Sequence, residues 1–219
     1  MTTKIAPAEL VQGGWYALEQ CGHLLNDAGT LFGCGRYATA VGIAMLSREE
    51  YGKARALFKL AAEGRDVDPG DVALDDHIEK QTAARVSVML RSSDPNSGVG
   101  KLLRQVSTYQ SADPEWTEAM HALSRVVDAA VRRAPEERHR ARMRSLYVDW
   151  EPTLRKWSRP EMTADEARYQ LDHAINDYAV YEGNIERDMA GTLGAPVAAL
   201  LNQWSERPSL PRPTRPTWP

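Results

Sequence analysis

The sequence predicts an all-α bundle, and three observations predict it. Apolar residues recur at three- and four-residue steps through most of the chain. Glycine and proline punctuation falls between those runs rather than within them. No alternating polar and apolar stretch is long enough to make a useful strand. About five to six helices result, followed by an extended proline-rich end, which divides the chain into a helical domain over 1–206 and a tail over 207–219.

The first helix is marked by Val11, Trp15, Leu18, Gly22, Leu25, Ala28 and Phe32, one inward-facing stripe that Gly33 and Gly35 break. The second opens at Arg36 and runs to about Gly64. Arg65 to Asp71 form a turn with Pro69 and Gly70 as breakers. A third helix covers roughly 72–91 and a shorter one runs from about Val99 to Tyr109. Asp113-Pro114 starts another, with the carboxylate at the N-cap and proline at the first position. Pro135 either kinks that helix or opens a new one running to Trp150, where Glu151-Pro152 favours a stop. Thr163-x-x-Glu166 is a capping box ahead of the last long helix, striped by Ala167, Leu171, Ala174, Tyr178, Tyr181 and Ile185.

Composition excludes several classes. Across 219 residues the net charge is −3, which gives no global attraction to nucleic acid or an anionic membrane. Two cysteines, Cys21 and Cys34, are too few for a disulfide framework and sit at no zinc-ligand spacing, so both read as reduced thiols of a cytoplasmic protein. The N-terminus lacks the apolar core of a signal peptide, and no run approaches membrane-span length. No glycine-rich nucleotide loop occurs, and neither a metal nor another cofactor is expected. His77, ringed by Asp75, Asp76 and Glu79, is an ordinary surface arrangement rather than a ligand set.

The second helix carries an unusual load of charge. Alternating steps of four and three from Arg36 reach Ala40, Ile43, Ser47, Glu50, Ala54 and Leu57, which puts Ser47 and Glu50 on an apolar stripe. A carboxylate there is costly unless paired, and Lys53 is one turn from both Glu49 and Glu50. A partly buried ion pair between helices and a polar functional site are both consistent with the pattern.

Residues 15–60, with GRYATA followed by REEYGKA, resemble the opening of the AbiV family of abortive-infection proteins; His77-Ile-Glu-Lys80 and Arg144-Ser-Leu-Tyr-Val-Asp149 fit as well. The resemblance covers roughly residues 8–185. It implies a HEPN-like bundle, bacterial anti-phage defence, a homodimer, and a polar layer of Arg36, Glu49, Glu50, Lys53, His77 and Lys80. The pair Ser47-Arg48 departs from the more apolar approach the family pattern has before its two acids.

Ribonucleases of the HEPN type use an arginine followed, after four to six residues, by a histidine. Metal-free cleavage needs a base at the ribose hydroxyl, a proton donor at the leaving oxygen, and a cation on the phosphorane. Arg132 and Arg133 before His139, and Arg168 before His173, match that spacing, as chance would produce in so arginine-rich a chain. Pro135 interrupts the first set, and His173 reads as lying on a polar face.

Arg142-Met-Arg-Ser-Leu-Tyr147 keeps the four-residue gap within the family motif but ends in tyrosine, whose ordinary pKa of about 10 makes it a poor base at neutral pH. Arg142, Arg144, Tyr147 and Asp149 are therefore the candidate catalytic set, with Arg142 and Asp149 expected on one helical face. Arg142 and Tyr147 would converge most readily across a two-fold axis.

The segment Arg132–Arg144 is locally +4, leaving −7 in the remainder. Its arginines, including Arg132, Arg133, Arg138 and Arg140, could hold RNA phosphates, or make a solvated or protein-binding face instead. Two functions follow: an abortive-infection effector acting on RNA or translation, with a phage-encoded activator as a possible partner, or a non-enzymatic module that binds a phage or host protein. The tail, RPSLPRPTRPTWP, should be polyproline-like, either solvated or docked through Trp218.

Overall fold

The computed structural model describes residues 4–72, 96–108, 113–151, 153–185 and 193–216. The predicted third helix over 72–91 lies outside them, apart from its first residue. Helices α1 (Pro7–Gly33) and α2 (Tyr37–Ala62) form a long antiparallel pair that makes the most extensive contact in the molecule. Then come α3 (Gly98–Thr108), α4 (Pro114–Leu146), a ribbon of β1 (Asp149–Glu151) and β2 (Lys156–Ser158), α5 (Ala164–Ile185) and α6 (Ala195–Gln203). Among the described residues the all-α reading holds, with the short ribbon and an isolated Ile5–Val67 bridge added to it.

Every residue of the predicted α1 stripe is buried. The α1–α2 corner follows from one glycine. Gly35 takes φ +72°, which lets the Arg36 and Gly35 amides donate to the Leu31 and Phe32 carbonyls at 2.9 Å and close the helix end. A second glycine sets how closely the pair packs. An ideal Cβ on Gly14 would lie 2.5 Å from the buried Phe58 ring, so α1 and α2 can approach only without a side chain there.

α2 is the hub, touching α1, α4, α5 and α6. The core gathers Trp15, Leu18, Leu25, Met45, Tyr51, Phe58, Leu171, Tyr178 and Leu201 from α1, α2, α5 and α6. α3 packs on α4.

α4 runs unbroken through Pro135, so neither a second helix nor a stop at Trp150 is needed. Its end comes at Leu146: Tyr147 is extended (φ −118°, ψ 145°) and leads into β1. Trp150 and Trp157 pair across the ribbon, and an aromatic cross-strand pair fits strand better than a continued helix. The capping box at α5 is formed as expected. The Glu166 amide donates to Thr163 Oγ1 (3.2 Å), and the Thr163 amide (3.0 Å) and hydroxyl (2.8 Å) donate to Glu166 Oε2, which holds the Glu166 carboxyl below its ordinary range.

Two features exceed the sequence reading. α6 is a short apolar helix absent from the prediction, and the tail is docked rather than solvated, lying along α1 and α5. Trp218 lies outside the described residues.

Candidate functional site

Three consecutive residues of α2 bind three different helices. Ser47 Oγ donates to the Cys21 carbonyl on α1 (3.1 Å) and lies 3.0 Å from Cys21 Sγ. Arg48 reaches Asp177 on α5 through Nε (2.8 Å) and Nη2 (2.7 Å). Glu49 accepts a bond from Arg142 Nη1 on α4 at 2.8 Å. Residues one apart on a helix point about 100° from each other, so a run of three fans around a helix enclosed by neighbours.

All are buried; Arg48 and Glu49 are 4% and 3% exposed. At that burial each charge would be prohibitive alone and is tolerable only with its partner. The same burial pushes the Cys21 thiol up to about 12, with the bond to Ser47 acting in the opposite direction.

Gly42 seats the end of α4 against α2. An ideal Cβ on Gly42 would collide with the Leu146 side chain, so any larger residue there would force Leu146 to move. Ser145 Oγ, also buried, donates to the Arg142 carbonyl at 2.7 Å. Arg142 is thereby enclosed in the seam.

The expected polar layer is divided by the structure. Glu49 is in the seam, but with Arg142 and not Lys53. Glu50 and Lys53 pair at 3.7 Å, half-buried, beside an apolar groove of ≈ 490 Å³ between α1 and α2 lined by Leu10, Gly13, Tyr16 and Leu57. Arg36 is exposed at the N-cap of α2, where it lines a separate groove of ≈ 550 Å³ with Tyr37, Thr39, Met162, Thr163 and Glu166. The step of four and three from Arg36 singled out one stripe, whereas α2 is buried over a wide arc that takes in Arg48 and Glu49. His77 and Lys80 lie outside the described residues.

The catalytic candidates are likewise separated. Arg142 is buried, Arg144 and Tyr147 are exposed, and Asp149 belongs to β1, opposite Ser158, so it shares no helical face with Arg142. Arg168 and His173 are exposed on α5; Arg168 lies 3.9 Å from Asp172, and the His173 ring sits edge-on to Tyr169 at 4.4 Å. The backbones of Arg132, Arg133, Arg138 and His139 belong to α4, while their side chains lie outside the described residues. Arg140 is exposed.

An exposed face follows the seam outward. At the end of α4 and on the ribbon, Tyr147 (55% exposed), Val148, Trp150, Leu154 and Trp157 (68%) are open, as is Met143. Trp150 and Trp157 meet edge to face at 5.5 Å. Arg144, Arg155, Lys156 and Arg159 are exposed on the same segment. Asp177 is buried on α5 and is not among the residues singled out from the sequence. Its only sequence signal was an acid among the apolar positions Ala174, Ile175 and Tyr178.

Among the described residues no helix is long and apolar enough to cross a membrane. Both cysteines are free thiols, Cys21 buried and Cys34 exposed. No curated protein and no solved structure matches the chain. The profile of the HEPN_AbiV family, described as AbiV, matches residues 10–172 and so takes in α1 to the middle of α5, with the Glu49–Arg142 pair and the ribbon inside it and Asp177 and the tail outside. With three-quarters of its length matched, the chain belongs to the AbiV family, a HEPN-type family of helical proteins.

Proposed function

We propose that this protein is an anti-phage effector of the abortive-infection type that engages single-stranded RNA through the end of α4 and the ribbon. Family membership supplies the defence context. The observation that carries the RNA reading is the exposure of the Trp157 and Tyr147 rings beside Arg144, Arg155 and Lys156. Open rings stack on unpaired bases, and cations on the same strip hold the phosphates between them. Duplex RNA, whose bases are already stacked, fits such a strip less well.

Arg142 acts in this reading as a positioning residue. Its bond to Glu49 fixes the last turn of α4, and with it Arg144 and Tyr147, against α2. Cleavage, if it accompanies binding, would draw its proton donor from an exposed group such as Tyr147 or His173. A homodimer closing over this face and a phage-encoded activator are further parts of the proposal.

A second reading is favoured by Met143, Val148 and Leu154, which are exposed and apolar. They suit a protein partner better than RNA. Anisotropy titrations with labelled single-stranded RNA separate the two. About four phosphate contacts predict roughly 10- to 100-fold weaker binding between 50 and 200 mM salt. Trp157→Ala should weaken binding by about 5- to 150-fold, the range for losing one stacked base. Absence of RNA binding, with phage protection still lost in Trp157→Ala, would favour the protein partner. RNA integrity in the same samples, with and without phage proteins, reports on cleavage.

A further inference from the structure

The tail is held by a repeat that the groove beneath it matches. Trp15 Nε1 donates to the Pro208 carbonyl (2.7 Å), and Tyr178 Oη donates to the Pro211 carbonyl (2.8 Å). Three residues further on, the Thr214 amide donates to Asn26 Oδ1 (3.3 Å). Three residues are one turn of a polyproline helix, about 9 Å of rise.

Burial follows much the same period. Ser209, Arg212, Thr214 and Arg215 are exposed, while Pro208, Leu210, Pro211, Pro213 and Pro216 are half-buried. Carbonyls of such a helix are unpaired within the chain, which leaves them free for donors on a partner surface.

The groove presents its side of the match from one face of α1. Trp15, Gly22, Asn26 and Gly29 meet the tail in order, at spacings of seven, four and three. From Trp15 to Gly22 the helix advances about 10.5 Å, close to one polyproline turn, while from Gly22 to Asn26 it advances only about 6 Å, so the match is close over the first turn and looser over the second. Gly22 is the floor: a Cβ there would lie 3.0 Å from Pro211 Cβ and 2.7 Å from Tyr178 Oη. Arg207 fixes the tail's start, with its guanidinium 4.6 Å above the Trp15 ring and Nη1 donating to the Leu201 carbonyl (3.0 Å). Arg215 bonds Asn176 on α5 near the other end.

We infer that the α1–α5 groove is a polyproline recognition site, filled in cis by the chain's own tail and able to take a proline-rich segment of the same chemistry in trans. The tethered tail is a competitor at high local concentration, so the wild-type groove is closed to outside ligands until the tail lifts.

The test uses the full chain and a fluorescent peptide, RPSLPRPTRP, copied from residues 207–216. Replacing Pro208 and Pro211 by glycine in the protein raises the freedom its own tail must give up on docking, without touching the groove. Circular dichroism establishes that this variant is folded. The peptide should bind it at least tenfold more tightly than it binds the wild type, and adding Gly22→Val should abolish that gain. Equal binding to both proteins, indifference to Gly22→Val, or unfolding of the glycine variant would each overturn the inference. The last outcome would make the tail a part of the core rather than an exchangeable ligand.

Discussion

Arg142 donates to Glu49 across 2.8 Å and 93 residues of sequence, tying the last turns of α4 to the middle of α2. The arginine that family spacing suggests for phosphate chemistry is held by a carboxylate inside the fold. At 9% exposure Arg142 offers little surface to RNA in this arrangement.

Removing one partner of that pair should be far worse than removing both. Glu49→Ala removes the carboxylate bonded to a buried guanidinium, at a cost of about 3–5 kcal/mol. Glu49→Leu combined with Arg142→Met should recover most of that loss. Denaturant midpoints across the double-mutant cycle measure the coupling. A surface pair would show almost none.

Gly14 is expected to tolerate no side chain, although alanine favours helix. Phe58 is a rigid, buried ring, and its nearest atom lies 2.5 Å from the ideal Cβ position. Overpacking of this kind costs about 1–3 kcal/mol, which outweighs the helix-propensity gain of about 1 kcal/mol. Thermal melting of Gly14→Ala should therefore show a lower Tm.

The two thiols should separate cleanly in alkylation. Cys34 is exposed and should react with iodoacetamide under native conditions, while Cys21 should stay unmodified until the protein unfolds. Peptide mass spectrometry reads both. The Cys21 pKa, raised from 9.0 to about 12, also sets a sign. Between those values the unfolded chain releases a proton that the folded chain keeps, so stability falls as pH rises through that window. Cys21→Ala should flatten this alkaline limb.

Glu166 predicts the opposite limb. Its carboxyl is lowered first by the Thr163 amide bond and then by the Thr163 hydroxyl. The contribution is present above the ordinary carboxylate pKa and is lost as pH falls through the lowered folded value. Thr163→Val removes the hydroxyl, so the Glu166 titration followed by NMR should move upward. An unchanged midpoint would assign the whole shift to the backbone.

How much of this was legible in the sequence depends on how many neighbours each helix has. α1 could be read residue by residue, because one broad face meets the core and its apolar residues mark that face. α2 could not, since it is enclosed by four helices and its buried arc is wide enough to include Arg48 and Glu49. A single stripe drawn from Arg36 therefore promoted Glu50, which is half-buried, over its neighbour. The charged partners, Asp177 and Arg142, lie 129 and 93 residues away, and no local period encodes which distant charge will meet which. The helix end at Leu146 was obscured because Tyr147 and Val148 continue an apolar rhythm while preferring strand geometry. The tail's docking depended on Trp15 and Tyr178 offering donors, which spacing cannot reveal.

The alternation of sign at Arg48 and Glu49 makes α2 a keyed shaft. Were α2 to turn by one residue in one sense, Arg48 would swing toward Arg142; in the other sense, Glu49 would swing toward Asp177. Either meeting would join like charges away from water. Leucines in those two places would hold the helices together but would permit such slippage, whereas this arrangement admits a single alignment.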